Sequence, residues 1–593
     1  MKLHVEHVNW RELDQQFPRL FRIKGRHGVI TPRAREMIRD LVALGVPHQK
    51  IYSACLIVCA ASDVVVDGSF DTHSITRIVR EGYVASAVQT VHEIRHANSW
   101  TGSADGTGHK HVEHLAHHAY VRVQPSQAIP EAYCPRQRFL GVRAVTDKTS
   151  ETQLETFDEL VKEFVAYYND SPLANSGPPL KLDEVLAKLK GWGSDHAEDQ
   201  KKFVRLLQEW KREVEREARG ERTLYSWAST APAQFIAYLL RASEQMVQSA
   251  GGMEAWERLS PVEQEECAQP VLQRLKIEIG EEVFSGLSAE DQELIDRFVW
   301  AGCSMHKDLN AAKGGSTALQ EFWEKVPADP PVPLPSRDNA AALSADANST
   351  SGKRAASLSQ GGAVKLTQLC GLVFNHHDDK KGQQDTYRNF FQHALSYIVH
   401  FPETSNTRFQ SHCIAACELL VNLPLYLEFL DLIRDKKDKR NLNNIENNIY
   451  QGLRDTSTLT ELAVLALYAQ VISHPYMRVV RGHGHWNALT LGPFHAMVIC
   501  HCETVIADPD VLLAADASYE KGALDGAQWE RSEVFYVIQR MAPNLPFLRG
   551  ALVAFFEGAV TTWRRFTSEF NQGGQITSMS AAERDEIAIC ATN

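Results

Sequence analysis

The chain has 593 residues, 44% of them hydrophobic and 23% charged, and a net charge of −12. That length suggests two to four domains, and the composition is that of a globular chain rather than a disordered or fibrous one. No apolar run approaches the ~18 residues of a membrane span, the first ten residues lack a signal-peptide core, and eleven scattered cysteines make no disulfide framework, so an intracellular protein with no membrane partner is expected.

Residues 1–98 read as helical. Seven basic residues (Arg19, Arg22, Lys24, Arg26, Arg33, Arg35 and Arg39) stand with one acidic residue, Glu36, in a short stretch of an acidic chain. That local patch suits a polyanion, with a solvated charged face as the plain alternative. Thr31-Pro32 predicts a helix start, Gly45-Val46-Pro47 a break, and a second helix runs from about Gln49 to Ala60. A third starts near Asp71-Thr72. Helix, short turn and helix beside basic residues is compatible with a helix-turn-helix DNA-binding region.

The texture changes after Trp100. Thr101–Thr107 is small and polar, His111–Val123 is extended, and Arg138–Val145 reads as a strand. Glu155–Tyr168 is an amphipathic helix. Three strands and a helix open a mixed α/β sheet, taken here to occupy residues 99–200. A helical insertion follows over 201–296, then a short strand, Phe298–Cys303, within 297–325. Residues 326–363, rich in Pro, Ala, Ser, Asn and Gly, read as a flexible linker, and 364–593 as a helical region.

Three short segments carry possible chemistry. Asp105 follows Ser103-Ala104 and precedes Gly106; alone, Asp-Gly is a turn signal. Asp195, 90 residues later, sits in Gly193-Ser194-Asp195-His196 before a long helix, where an acidic residue also serves as a cap. Cys303 and His306 could form half of a zinc site, but no second pair stands at zinc-finger spacing. His109, His111, His114, His117 and His118 alternate across a strand and do not make one site.

The order of these segments resembles DDE-type transposases of the hAT and Mutator-like superfamilies. Asp105-Gly106 precedes Ala116-His117-His118-Ala119-Tyr120, a second Asp ends a strand, and Cys303, His306, Leu309 and Asn310 match a Cys-x-x-His-x-Leu-Asn segment with one extra residue. Thr407-Arg408-Phe409 looks like their Thr-Arg-Trp segment. From about Thr31 to Asn593 the chain also looks like a large family of fungal proteins sharing Ser-Asp-Gly-Thr-Thr-His, Gly-Asp-His-Ala and Cys-x-x-His-Lys-Asp-Leu-Asn segments. The resemblance implies an α/β ribonuclease H-like core with a mixed sheet, embedded in a mostly α-helical chain with large helical insertions.

It also implies a function in which Asp105 and Asp195 are catalytic and hold Mg²⁺ or Mn²⁺. Cys303, His306 and Asn310 are expected to be structural residues beside them, and DNA to be the partner, with homo-oligomerisation left open. Strand cleavage and transfer are in-line substitutions at phosphorus by water or a 3′-hydroxyl, and hard divalent ions bound by carboxylates would serve both the attacking and the leaving oxygen.

Two departures from the family pattern stand out. The gap from Asp195 to Cys303 is 108 residues, wider than in hAT proteins, which makes Asp199 a competing choice for the second Asp. The ending Cys590-Ala591-Thr592-Asn593 matches a segment that precedes the last catalytic Glu, so the chain as given is expected to lack that Glu, with Glu461, Glu418 and Glu446 as in-chain alternatives. The two functional expectations are therefore a transposase-derived, metal-dependent DNA-cleaving protein and a non-catalytic DNA- or protein-binding scaffold of the same ancestry.

Overall fold

A computed structural model describes residues 19–109, 112–122, 135–376, 382–405, 410–482 and 487–589. Thr407-Arg408-Phe409, His111, His377, His483–Trp486 and Cys590–Asn593 lie outside the described residues. The chain forms two compact units, Met1–Ala97 with Glu155–Leu186, and Asn98–Leu154 with Ala187–Asn593.

In the first unit, strand β1 (Arg19–Arg22) pairs in parallel with β2 (Val64–Asp67), Arg19 opposite Val64 and Arg22 opposite Asp67. Helices α1 (Pro32–Ala43) and α2 (His48–Ala61) connect them. Thr31 caps α1 by accepting the Ala34 N–H at 3.3 Å, with Pro32 at the first position. Gly45 takes a φ of 81°, which the four-residue turn needs, and the two helix axes bend by 117° across it. Helix α3 (Thr72–His96) begins at Asp71, whose carboxylate accepts the Ser74 N–H at 2.7 Å.

The two strands depart from the all-helical reading of residues 1–98. Val64, Val65 and Val66 are branched and favour extended chain, but four residues are too few to show an alternating pattern. Residues 155–186 also belong to this unit and not with the rest of 99–200. Helix α4 (Ser150–Asn169) brings Phe164 and Tyr167 edge-on to Tyr83 of α3, at centroid separations of 5.9 and 6.4 Å.

The second unit holds a five-stranded mixed sheet: β3 (Trp100–His109), β4 (Val112–Arg122), β5 (Pro135–Val145), β6 (Leu189–Ser194) and β7 (Val299–Gly302). The order is β5-β4-β3-β6-β7, with β4 antiparallel to both neighbours and β3, β6 and β7 parallel. Gly102 suits β3 because a Cβ there would lie 2.1 Å from the Trp192 ring, which crosses the strand instead. Outside this sheet the unit is mostly helical.

Between β6 and β7 stands the expected helical insertion: α5 (Glu198–Thr230), α6 (Pro232–Ser249), α7 (Pro261–Ser285) and α8 (Ala289–Asp296). Helices α5 and α7 cross closely at Gly220 and Gly280; a Cβ on either would meet a backbone oxygen of the other helix within 2 Å. Beside that crossing the buried Arg216 binds Glu215, Glu281 and Asp296.

Helix α9 (Ser304–Lys325) leaves β7 and enters a large helical core. The segment expected to be a flexible linker, 326–363, is instead folded. Ser336 and Ser349 cap two short helices, α10 (Arg337–Ala345) and α11 (Thr350–Leu358), by accepting the N–H groups of Asn339 and Gly352. Its small residues serve close approach: a Cβ at Gly361 would lie 1.9 Å from the Val332 carbonyl oxygen. Helices α12 (Ala363–Phe374), α13 (Ser411–Val421), α14 (Thr456–Tyr468), α15 (His474–Val480), α16 (Gly492–Ala507) and α17 (Leu548–Phe566) are among the further helices of the unit. A π-helical turn, Ala469–Ser473, joins α14 to α15. Among the described residues no single helix is long and apolar enough to cross a membrane.

Candidate functional site

The site begins with strand register. Ser103 of β3 pairs with Gly193 of β6, and Ser194 of β6 pairs with Gly302 of β7. Two residues beyond the first pair stand Asp105 and Asp195; one residue beyond the second stand Asp195 and Cys303. Asp105 lies inside β3 and, two apart from Ser103, shares its face, while Asp195 lies just past the end of β6. Both line a cavity of about 710 Å³, together with His306, Asn310, Lys313 and Glu403.

Each carboxylate has a local anchor. Asp105 takes the Gly106 N–H, and Asp195 accepts the Ala197 N–H at 2.9 Å, the turn before α5. Solvent reaches Asp105, yet the cavity walls strip enough water from it to raise its pKa. The His306 charge opposes that rise and the Asp195 charge adds to it.

His306 lies on the first turn of α9. Burial pulls its pKa down, but a hydrogen bond with Cys303 and the charges of Cys303, Asp195 and Asp105 outweigh burial and leave it raised. Cys303 is buried at the helix start, its N–H donating to the Ser194 carbonyl at 2.7 Å. Asn310 Nδ2 donates to the His306 carbonyl at 2.8 Å. Cys303 and Asn310 thus hold the chain around His306, while His306 itself opens onto the carboxylate cavity.

His196, next to Asp195, lies against β7. A Cβ on Gly302 would sit 2.0 Å from its ring, so only glycine leaves room for it. Its Nε2 meets the Phe566 carbonyl at 3.0 Å, and burial followed by the Lys307 charge drives its pKa far down. Lys307 is buried, donates to the Gly302 carbonyl at 2.6 Å and pairs with Glu569 at 2.8 Å. The strand end that carries the carboxylates is thereby fixed from below.

The in-chain alternatives for a third carboxylate are elsewhere. Glu461 accepts the Trp323 Nε1–H at 2.9 Å and the Ala363 N–H at 2.7 Å. Glu418 binds Arg531 and Asn422, and Glu446 completes the cap of its own helix. None of the three lines the cavity, and neither does Asp199. Glu403 and Lys313 do, and neither was singled out in the sequence. Lys313 continues the helical spacing of His306 and Asn310, a usable signal; Glu403 sits in a loop, where spacing carries none.

Among the described histidines, His118 stands diagonally beside Asp105 across the β3–β4 ladder, and His117 is buried on the opposite face with its pKa lowered to about 4 by burial. Among the described residues no group of three or more His, Cys, Asp or Glu side chains is gathered tightly enough to hold a metal ion.

The seven basic residues lie in the first unit. Arg35 binds Glu81 and the Ile30 carbonyl, and Arg39 runs along Gly82, so both lie against α3. Arg22 stands 3.9 Å from Asp67. Arg19, Lys24, Arg26 and Arg33 are exposed on β1, the turn after it and the start of α1. Helix α2, the second of the bent pair, exposes Leu56, Ile57 and Val58, with Lys50 exposed in its first turn.

Compared with protein-family models and with curated proteins, the chain matches none.

Proposed function

We propose that the chain is a transposase-derived protein with a ribonuclease H-like core, and that Asp105 and Asp195 form the acidic centre of a metal-dependent cleavage site for DNA. One observation carries the reading: two aspartates 90 residues apart share one cavity, each two residues beyond the last pair that joins adjacent parallel strands. The chain order supports it too. Strand with Asp, two antiparallel strands, helix, strand with Asp, then strand with Cys-x-x-His is the order the resemblance implies.

The donor set fits Mg²⁺ or Mn²⁺. Carboxylate oxygens suit hard divalent ions, and Asp105, raised in pKa by burial and by Asp195, gains from a neighbouring cation. When bound, such ions supply Lewis acidity and a more acidic bound water. Asp105 and Asp195 would hold them. His306, tied to Cys303 and drawn up in pKa by both aspartates, would keep positive charge beside the carboxylates. The exposed Arg19, Lys24, Arg26 and Arg33 would bind the DNA backbone, in the nucleus.

A non-catalytic scaffold of the same ancestry is the second reading. It is favoured by the scarcity of donors, since no third ligating side chain joins the pair tightly among the described residues. Nicking of supercoiled plasmid in Mn²⁺ separates the two. Cleavage by the wild-type protein and its loss in Asp105→Ala support the enzyme; equal nicking by both refutes the role of Asp105, and no nicking by wild type supports the scaffold.

A further inference from the structure

The carboxylate cavity does not end at Lys313. A second cavity of about 470 Å³ shares Leu309 and Lys313 with it and continues along α9 past Ser316, Thr317 and Gln320. The shared wall is one helical stripe. His306, Asn310, Lys313, Thr317 and Gln320 follow one another at intervals of three or four residues, so they face one side of α9. At 1.5 Å per residue that stripe is roughly 20 Å long, a length suited to an extended strand of a few nucleotides.

The charges along this stripe are graded. One end holds Asp105 and Asp195. In the middle stands Lys313, exposed at the rim where the cavities meet and paired with no carboxylate among the described residues. Partial loss of water lowers its pKa, as for a cation without a counter-ion. The far cavity has one carboxylate in its lining, Asp308. His412 is held uncharged at neutral pH, its pKa lowered to about 4 by burial and by the Lys313 charge. Asp308 spends both oxygens on Tyr468 at 3.0 Å and Ser473 at 2.6 Å.

The lining there mixes amides and hydroxyls with apolar side chains. Gln320 makes no side-chain hydrogen bond among the described residues, and the hydroxyls of Ser316 and Thr317 donate back to their own helix, leaving oxygen lone pairs as acceptors. Leu309, Val364 and Leu465 supply apolar wall. The volume falls in the range of about 300–1,000 Å³ usual for small-ligand sites. A cation at the rim of an amphipathic pocket matches a nucleoside phosphate, with its anionic group outside and its flat, hydrogen-bonding base inside.

We propose that the two cavities form one path for a single nucleic-acid strand, with Lys313 holding a phosphate and the cavity beside Gln320 and His412 holding the adjoining nucleoside. This rests on the cleavage reading above for which strand enters the site, but not for its chemistry. A free nucleoside monophosphate carries the same groups and is the alternative source.

The test is fluorescence anisotropy of a labelled single-stranded oligothymidylate in EDTA, where no cleavage occurs, with dTMP as competitor. Lys313→Ala is expected to weaken strand binding about tenfold and to flatten the dependence of log affinity on log salt by roughly 0.7, the loss of one phosphate contact. Lys313→Arg keeps the cation and is expected to stay within about threefold of wild type, and Asp105→Asn to bind at least as tightly as wild type. Displacement of the strand by dTMP from wild type shows that one nucleotide unit suffices. A Lys313→Ala defect without such displacement shows that the strand is the ligand.

Wild-type affinity and salt slope in Lys313→Ala, or no binding of either probe by wild type, overturns the proposal. Should wild type fail to nick in Mn²⁺ while the Lys313 effect persists, the cleavage reading falls and the strand path stands.

Discussion

Asp105, inside β3, and Asp195, just past the end of β6, each stand two residues beyond the last parallel pair of their strands, Ser103 with Gly193. Register, not sequence proximity, brings them together. Each strand end is held from a different direction: β3 by the antiparallel ladder to β4, and β6 by β7 and the helix that follows it.

That arrangement depends on Gly302. Its missing Cβ leaves room for the His196 ring, which in turn fixes the backbone beside Asp195. Gly302→Ala is expected to destabilise the second unit by about 1–3 kcal/mol, as overpacking does, in a denaturant titration followed by tryptophan fluorescence. An unchanged midpoint would show that His196 moves aside freely.

Below the site, Lys307 and Glu569 form a buried ion pair. Removing one partner leaves the other buried and unpaired, which costs about 3–5 kcal/mol, whereas replacing both with apolar residues of similar size is tolerated far better. Lys307→Met should therefore be much less stable than the double variant Lys307→Met, Glu569→Leu. Equal loss in both would mean that the pair holds nothing specific.

Glu461 gives a pH signature. Burial pushes its pKa up to about 7 from 4.5, so the folded state keeps its proton where the unfolded chain has lost it. Its contribution to stability is then full below about pH 4.5, declines as pH rises and is gone above about pH 7, by an amount on the order of a few kcal/mol. Glu461→Gln removes the titration and keeps one oxygen to accept from Trp323 or Ala363, a loss that is the same at both pH values. Denaturation at pH 5 and pH 7.5 should show a smaller drop in Glu461→Gln than in wild type. Parallel drops would refute the shift.

The exposed basic residues of the first unit supply the DNA prediction. The combined change of Lys24, Arg26 and Arg33 to Glu should weaken duplex binding at least tenfold at ~0.1 M salt and flatten its salt dependence. Affinity and salt slope equal to wild type would remove this face from any role with DNA. Arg35 and Arg39 are poor targets, because they lie against α3.

Much of this was legible in the sequence where a local rule acts alone. Thr31 and Asp71 cap helices because a short oxygen-bearing side chain before an apolar periodic run has few other uses. The 108-residue gap before Cys303 reads as a helical insertion from its amphipathic period. Asp105 and Asp195 were legible only through the order of motifs, since alone each is a turn or a cap, and Asp195 does carry a local bond of that kind.

Other features were hidden because distant partners decide them. Val64–Val66 becomes a strand by pairing with Arg19–Arg22, and 326–363 folds because its small residues allow close packing rather than because they favour helix. Glu403 reaches the cavity from a loop with no periodicity to read.

The central claim is that the two aspartates bind a divalent ion together. Titration of Mn²⁺ into the full chain, read by the loss of the free-ion electron paramagnetic resonance signal, tests it without requiring turnover. Wild type should bind Mn²⁺ saturably, and Asp105→Asn and Asp195→Asn should each lose that binding while remaining folded. Identical isotherms for wild type and both variants would contradict a shared metal centre.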